Sequence, residues 1–234
     1  MHLPPRRLLV AGCGYVGSAL AAAEGAAGNT VFGLRRTLRP LPAGVTPVIA
    51  DLADDASLAH LPPDLDTVVY AASADERSEA AYRRAYVDGP VTLLRHLARR
   101  GDPLRRFLLV SSTGVYGHAD GSWVDEDTPT GSRGTGAVLE EGEQRCLAAP
   151  VSTVVLRLGG IYGPGRRNLI DRVLRGEAGC PAGPPVFTNR IHLADIVAAI
   201  RHLLDLPQPA SVYLGVDDEP ADTATVVRWL AAQT

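Results

Sequence analysis

The chain has 234 residues, 46% of them hydrophobic, and a formal net charge of −3. This length and composition suit one large globular domain, or one domain with a small lobe appended. The near-neutral charge argues against a nucleic-acid or membrane-surface partner, and no apolar run approaches the roughly 20 residues needed to cross a bilayer. The first residues lack the layout of a signal peptide. We therefore expect a cytoplasmic protein whose partner is a small molecule.

The residue types that could bind a metal or transfer a proton are restricted in this chain. The three cysteines, Cys13, Cys146 and Cys180, lie far apart and have no paired spacing, so neither a disulfide framework nor a metal site is predicted. All 23 residues counted as Lys or Arg are arginines. No reaction of this chain can therefore depend on a lysine side chain.

Strands and helices alternate through the first two thirds of the sequence. Short apolar runs predict parallel strands at residues 7–11, 30–34, 46–50, 67–71, 106–110 and 153–157. Helical patterns are predicted at residues 15–24, 78–100 and about 135–148. Because strands that alternate with helices form a doubly wound parallel sheet, we predict an α/β fold of the Rossmann type.

A glycine-rich turn follows the first predicted strand and opens the first predicted helix. Gly12, Gly14 and Gly17 give it the GxGxxG spacing. In such a turn the first glycine permits a tight bend, the second lets the backbone approach a diphosphate, and the third allows close packing of helix on strand. The start of the helix then offers free N–H groups and a partial positive charge to phosphates. The turn predicts a dinucleotide site; a tight turn without a ligand is the alternative.

The end of the second predicted strand carries arginines where many dinucleotide-binding folds carry an acidic residue. That acidic residue binds the ribose 2′-hydroxyl of NAD about 20 residues beyond the turn, and Arg35 and Arg36 stand there in this chain. A carboxylate repels a 2′-phosphate, whereas guanidinium groups bind one bidentately. We therefore favour NADP over NAD, the alternative being that one or both arginines are solvated surface charges. Asp51, after the third strand, is placed either to bind an adenine amino group or to cap a helix.

Several strings of sequence together resemble one known family. Besides the turn, they are Asp51-Leu52, residues 68–73 (VVYAAS), 111–117 (SSTGVYG), 156–165 (LRLGGIYGPG) and 190–196 (RIHLADI). On these strings the chain resembles, over nearly its whole length, an extended short-chain dehydrogenase/reductase of the NAD-dependent epimerase/dehydratase family. The turn and the resemblance together predict as cofactor-binding residues Gly12, Gly14, Tyr15, Val16, Gly17, Arg35, Arg36, Asp51, Leu52, Ala71, Ala72 and Ser73.

The resemblance also implies catalytic positions, and there the chain departs from the family. Family members use a Ser or Thr that orients the substrate oxygen, with a Tyr-x-x-x-Lys pair for proton transfer; Ser112 matches the serine. Thr135 stands where the tyrosine is expected and Leu139 where the lysine is expected. A threonine hydroxyl is far too weak an acid to replace a tuned tyrosine. The chain thus resembles atypical members that keep the cofactor fold and lose the pair, with Ser112 and Thr135 as its predicted catalytic positions.

The composition changes after residue 159. Prolines and glycines concentrate at residues 160–190 and 208–220, on either side of a predicted helix at about 192–206. We predict that residues 1–158 form the dinucleotide-binding core. Residues 159–234 are expected to form a reduced substrate lobe, interleaved with the last elements of the core.

Three functional hypotheses follow. The first is an NAD(P)-dependent oxidoreductase, epimerase or dehydratase acting on a small polar or nucleotide-linked substrate, with a proton donor outside the usual helix. The second is a sensor or regulatory protein that binds NADP without turnover, and a third is a scaffold with an empty pocket. The oligomeric state is left open, a homodimer being one alternative.

Overall fold

The computed structural model describes residues 4–118, 120–180 and 183–233. Its centre is a seven-stranded sheet with the order β10-β6-β5-β4-β1-β2-β3, in which every neighbouring pair is parallel. The strands of this sheet are β1 (Arg7–Ala11), β2 (Thr30–Arg35), β3 (Val45–Ile49), β4 (Thr67–Tyr70), β5 (Arg106–Ser112), β6 (Thr153–Leu158) and β10 (Val212–Gly215). The α/β fold predicted from the strand–helix alternation is confirmed.

The strand order reverses direction between β1 and β4. From β1 the sheet grows through β2 and β3 on one side, and from β4 it grows through β5, β6 and β10 on the other. In an open parallel sheet such a reversal leaves a crevice beyond the carboxyl ends of the two strands. The glycine-rich turn, which follows β1, lies at this crevice.

Different helices pack on the two faces of the sheet. Leu8 and Val10 of β1 belong to a core cluster with α1 (Tyr15–Ala26) and α6 (Leu193–Asp205). Leu9 and Ala11 point to the opposite cluster, which contains α3 (Gly89–Arg100) and Cys146 of α4 (Thr135–Leu147). Because both faces are covered, the central strands are apolar throughout, and the alternation that marks a half-exposed strand is absent from them.

The helix predicted at residues 78–100 is interrupted. It consists of α2 (Glu79–Arg83), a π-helical turn (Arg84–Asp88) and α3. The Tyr70 hydroxyl donates to the Ala85 carbonyl within this turn at 2.6 Å, and the Tyr86 carbonyl lies against Gly142 of α4, where a Cβ would stand 2.0 Å from it. These contacts hold backbone carbonyls away from the regular helical ladder, which is the structural requirement of a π turn. The predicted helix is thus present over residues 79–100, and the π turn within it is the feature that the sequence pattern did not predict.

The C-terminal third contains more regular structure than the sequence pattern predicted. It adds the helices α5 (Asn168–Leu174) and α7 (Thr223–Ala232), with one small sheet of β7 (Gly160–Tyr162) and β9 (Arg190–His192), and another of β8 (Phe187–Thr188) and β11 (Ala221–Asp222). The sequence assigned residues 208–220 to a proline- and glycine-rich lobe, yet β10 extends the central sheet by pairing with β6. The strand lies between prolines at 207 and 209 and the acidic residues 217–219, a composition typical of a loop, which is why it was missed. Beyond residue 158 the chain thus supplies one strand and one helix to the core.

None of the helices within the described residues is long and apolar enough to span a bilayer.

Candidate functional site

A cavity of about 690 Å³ opens beside the glycine-rich turn, at the carboxyl ends of β1, β2 and β4. Backbone from the turn forms its floor, the arginines that end β2 form one wall, and the segment after β4 forms the other. Its lining consists of Gly12, Cys13, Gly14, Leu34, Arg35, Arg36, Thr37, Arg39, Asp51, Leu52, Ala53, Tyr70, Ala71, Ala72, Ser73, Ala74, Asp75, Ala81, Arg84 and Ala85.

At two of the three glycine positions of the turn there is no room for any side chain. Gly12 has φ +93° and lies against the segment after β4, where an added Cβ would stand 2.2 Å from the Ala72 nitrogen. A Cβ at Gly17 would stand 2.4 Å from the Gly12 carbonyl, so α1 packs directly on the turn. Gly14 faces open space and is exposed. The backbone is therefore bare on the side that a ligand would approach.

The start of α1 is electrostatically positive. Its N-cap residue, Gly14, provides no side-chain hydrogen bond, and its first turn contains no acidic residue. The first N–H groups of a helix lack intrahelical partners, and their partial charge attracts anions. This end of the cavity is suited to phosphate groups.

Arg35 lies in the cavity wall with part of its guanidinium unsatisfied. Its Nη2 donates to the Ser18 hydroxyl at 3.0 Å, and that hydroxyl in turn donates to the Cys13 carbonyl at 2.9 Å. The Nε of Arg35 is buried and has no hydrogen-bond partner within the described ranges. A buried donor without an acceptor costs about 1–3 kcal/mol. Burial also raises the pKa of the neighbouring Cys13 thiol.

Two ion pairs connect loops across the cavity. Arg36 Nη2 lies 2.6 Å from one carboxylate oxygen of Asp75 and 2.7 Å from the other, and Arg84 Nη2 lies 2.5 Å from Asp51 Oδ2. Partial burial raises the pKa of Asp51, but hydrogen bonds from the Ala53 N–H and from Arg84 outweigh this effect and hold it below its usual value. Asp51 therefore closes a turn and pairs with Arg84, and it does not cap the following short helix, whose N-cap is residue 55.

The structure brings nine of the twelve predicted cofactor-binding residues to the cavity. These are Gly12, Gly14, Arg35, Arg36, Asp51, Leu52, Ala71, Ala72 and Ser73. The other three lie at its edge or behind it: Val16 is buried in the core, Gly17 packs on the turn, and the Tyr15 hydroxyl donates to the Pro164 carbonyl at 2.9 Å. Whether any of the twelve binds a cofactor remains a prediction.

Sequence reasoning missed Arg39, Asp75 and Arg84 as lining residues. Arg39 lies three residues beyond Arg36, and this short spacing was an available signal. Asp75 and Arg84 come from the segment after β4, and no local pattern marks them, because only the folded sheet brings that segment beside β2.

Ser112 and Thr135 lie outside this cavity. The Ser112 hydroxyl accepts from the Gly114 N–H at 3.1 Å. An added Cβ on Gly114 would stand 3.4 Å from that hydroxyl and 3.9 Å from a methyl group of Leu139, while the Gly114 carbonyl lies against Gly136, the second residue of α4. The first turn of α4 is thus packed beside Ser112. Leu139 is only 5% exposed and presents an apolar side chain there.

Next to Ser112 lies a buried polar network. Arg157 binds Glu143 at 2.7 Å, Ser111 donates to Glu143 at 2.5 Å, and Arg157 donates to the Tyr116 hydroxyl at 2.7 Å. Burial raises the pKa of Tyr116, although Arg157 opposes the shift. Arg157 is therefore paired with Glu143 and is not available to bind an anionic ligand.

No cluster of three or more His, Cys, Asp or Glu side chains able to hold a metal occurs in the part of the chain that the structure describes.

Comparison with known proteins places the chain in a family. Protein YeeZ of Escherichia coli K12 is 39% identical over 110 residues, a match that covers 46% of this chain and 38% of YeeZ, so it spans less than half of that relative's length. The solved structure of a Methylobacillus flagellatus protein assigned to the NAD-dependent epimerases/dehydratases is 38% identical, with a TM-score of 0.83 over 98% of this chain and 82% of that one.

A second solved structure shows what a more distant neighbour binds. MoeE5, in complex with UDP-glucuronic acid and NAD, is 26% identical, with a TM-score of 0.81 over 97% of this chain and 82% of that one.

A sequence model of the NAD-dependent epimerase/dehydratase family matches residues 8–212, which is most of the chain. The protein therefore belongs to the NAD-dependent epimerase/dehydratase family.

Proposed function

We propose that this protein binds NADP(H) in the cavity beside Gly12 and Gly14. There it carries out nicotinamide-dependent chemistry, of oxidoreductase, epimerase or dehydratase type, on a small polar or nucleotide-linked substrate. The observation that carries the cofactor assignment is the group of arginines at and after the end of β2 that line the cavity, Arg35, Arg36 and Arg39. A ribose 2′-phosphate beside Arg35 would supply the anionic partner that its guanidinium lacks among the described residues.

The charges around Arg35 favour NADP over NAD. Arg36 and Arg39 line the same wall, and β2 ends without the carboxylate that would bind a free 2′-hydroxyl. The neighbour MoeE5 was solved with NAD, which makes NAD the competing cofactor. In either case the diphosphate is expected at the open backbone of Gly14 and the start of α1.

For the reaction, we assign Ser112 the role of orienting the reacting oxygen of the substrate. Its hydroxyl, already held by the Gly114 N–H, is available to donate its own proton. Thr135, at the start of α4, is proposed as a second polar contact. Because the chain has no lysine and the buried Leu139 stands where the family's lysine is expected, we place the proton donor outside α4.

A second candidate function is binding without turnover, as a sensor or regulatory protein. The apolar Leu139 beside Ser112 favours it, because a site without a tuned acid or base typically loses about 10²–10⁴ in rate.

We also propose a cytoplasmic location. Size-exclusion chromatography would show whether the protein is a homodimer.

A titration tests both candidates. Purified protein is titrated with NADPH, NADH, NADP⁺ and NAD⁺, and is then incubated with aldehydes, ketones and UDP-sugars. We expect NADPH to bind more tightly than NADH, and Arg35→Ala to remove most of that difference while leaving NADH binding nearly unchanged. Turnover of any substrate favours the enzyme, and tight NADPH binding without turnover favours the sensor. Equal affinities for NADPH and NADH would contradict the NADP assignment.

A further inference from the structure

The pairing of Arg36 with Asp75 crosses the glycine-rich turn. Ala11, the last residue of β1, is flanked in the sheet by Leu34 of β2 and Tyr70 of β4. Arg36 follows β2 and Asp75 follows β4, so their contact spans the carboxyl end of β1 from one side to the other. Both side chains line the cavity, and Arg36 places one nitrogen on both carboxylate oxygens, at 2.6 and 2.7 Å.

The two arginines at the end of β2 are held in different ways. Arg35 is bound to the neutral hydroxyl of Ser18 and faces no carboxylate within 4 Å in the described residues. Arg36 is neutralised by Asp75, and the hydrogen bonds that it donates to this carboxylate raise the pKa of the Arg36 guanidinium. An incoming phosphate therefore finds Arg35 free of a counter-charge, whereas Arg36 has to exchange one anion for another.

We propose that Asp75 is a specificity-determining residue that competes with the cofactor's 2′-phosphate for Arg36. When a nucleotide with this phosphate binds, Arg36 leaves Asp75 and pairs with the phosphate. When a nucleotide with a free 2′-hydroxyl binds, the Arg36–Asp75 pair stays intact. Asp75 thus lowers the affinity for NADP(H) without lowering the affinity for NAD(H). The difference between these two affinities becomes smaller. This inference rests on the proposed function.

The exposure of the pair makes the exchange feasible. The side chains of Arg36 and Asp75 are 52% and 66% exposed, and exposed ion pairs are weak, so a dianionic phosphate can displace a carboxylate. Removing the negative charge of Asp75 also removes its repulsion of the phosphate. We expect Asp75→Asn to tighten NADPH binding about three- to tenfold at low ionic strength.

The experiment measures dissociation constants for NADPH and NADH in four proteins: the unmodified chain, D75N, R36A and the R36A/D75N double variant. Asp55→Asn is the charge-matched control, because Asp55 also pairs with an exposed arginine, Arg99, but lies outside the cavity. Thermal unfolding of each variant verifies that it is folded. Adenosine 2′-monophosphate and adenosine 5′-monophosphate serve as probes that lack the nicotinamide half.

The expected result is a higher ratio of NADPH to NADH affinity in D75N, with NADH binding unchanged and no change in D55N. Once Arg36 is absent, D75N should have a smaller effect, because only the repulsion between Asp75 and the phosphate is then removed. An unchanged ratio in D75N, or an equal increase in the R36A background, would overturn the role of Asp75 while leaving the NADP assignment in place. If the unmodified chain binds neither dinucleotide nor adenosine 2′-monophosphate, the proposed function fails and this inference fails with it.

Discussion

Arg157 of β6 and Glu143 of α4 form an ion pair inside the protein, with 2.7 Å between Nη2 and Oε2 and side-chain exposures of only 8% and 2%. The pair fixes α4, the helix whose first turn packs beside Ser112, to the central sheet. Ser111 donates to the same carboxylate. The position of the candidate catalytic serine therefore depends on a buried charge network.

Removing one partner of this pair should be costly. Glu143→Ala leaves the Arg157 guanidinium buried without an anion, and we expect the free energy of unfolding in urea to fall by about 3–5 kcal/mol. Glu141 of the same helix is the matched control, because it pairs with the exposed Arg83 and Arg145, and Glu141→Ala should cost about 1 kcal/mol or less. Equal losses in the two variants would contradict a buried, structural role for Glu143.

Two glycines of the turn should respond differently to the same substitution. At Gly12 a Cβ collides with the backbone of Ala72 and the residue has a positive φ, so Gly12→Ala should lower the melting temperature by several degrees. At Gly14 a Cβ meets open space, so Gly14→Ala should melt close to the unmodified protein. Gly14→Ala should nevertheless bind dinucleotides at least tenfold more weakly, since its methyl group would occupy the path of the diphosphate. Unchanged binding in Gly14→Ala would place the diphosphate elsewhere.

Helix glycines offer a second pair of opposite effects. Gly142 of α4 lies against the Tyr86 carbonyl of the π turn, with only 2.0 Å for a Cβ, so Gly142→Ala should destabilise the fold. Gly25, in the last turn of α1, faces open space, and Gly25→Ala should stabilise the fold by about 0.5 kcal/mol, the lower end of the range for helix interiors. Urea unfolding of both variants measures the difference. If Gly142→Ala leaves the free energy of unfolding unchanged, the π turn must move to make room for the added methyl group.

The cysteines should differ in reactivity. Burial raises the pKa of Cys146 from 9.0 to about 12 and also raises that of Cys13, so both remain protonated thiols at pH 8, whereas Cys180 is exposed. A colorimetric thiol reagent at pH 8 should titrate one thiol in the native protein and three after unfolding. The pKa of Cys146 is higher in the folded protein than in the unfolded chain. The contribution of this thiol to the free energy of unfolding is therefore fully present below pH 9 and decreases between pH 9 and pH 12. Rapid modification of two or more native thiols would contradict the buried positions.

The sequence predicted the fold well where its signals were local. Each of the six predicted strands reappears within two residues, because apolar runs such as residues 106–110 can only be buried in a two-faced sheet. The glycines of the turn were assigned roles that depend on backbone contacts, and Gly12 and Gly17 make such contacts. β10 and α7 were missed because each follows a segment that contains proline and reads as a loop.

The candidate site was predictable only in part, for a physical reason. Arg35 and Arg36 could be assigned because a fixed spacing relates the turn to the end of β2. Asp75 and Arg84 enter the cavity through the sheet order, which puts the segment after β4 opposite β2, and no sequence spacing encodes this. Nor does the sequence indicate that Asp75 neutralises Arg36 while Arg35 keeps a free donor, since this depends on side-chain geometry.

The central claim is that the cavity beside the glycine-rich turn holds a dinucleotide with its 2′-phosphate on the arginines of β2. A crystal structure of the protein grown with NADPH tests it most directly. We expect a phosphate oxygen about 3 Å from a guanidinium nitrogen of Arg35, with the diphosphate over Gly14. Density for the nucleotide with its ribose 2′ position turned away from Arg35 and Arg36, or bound outside this cavity, would contradict it.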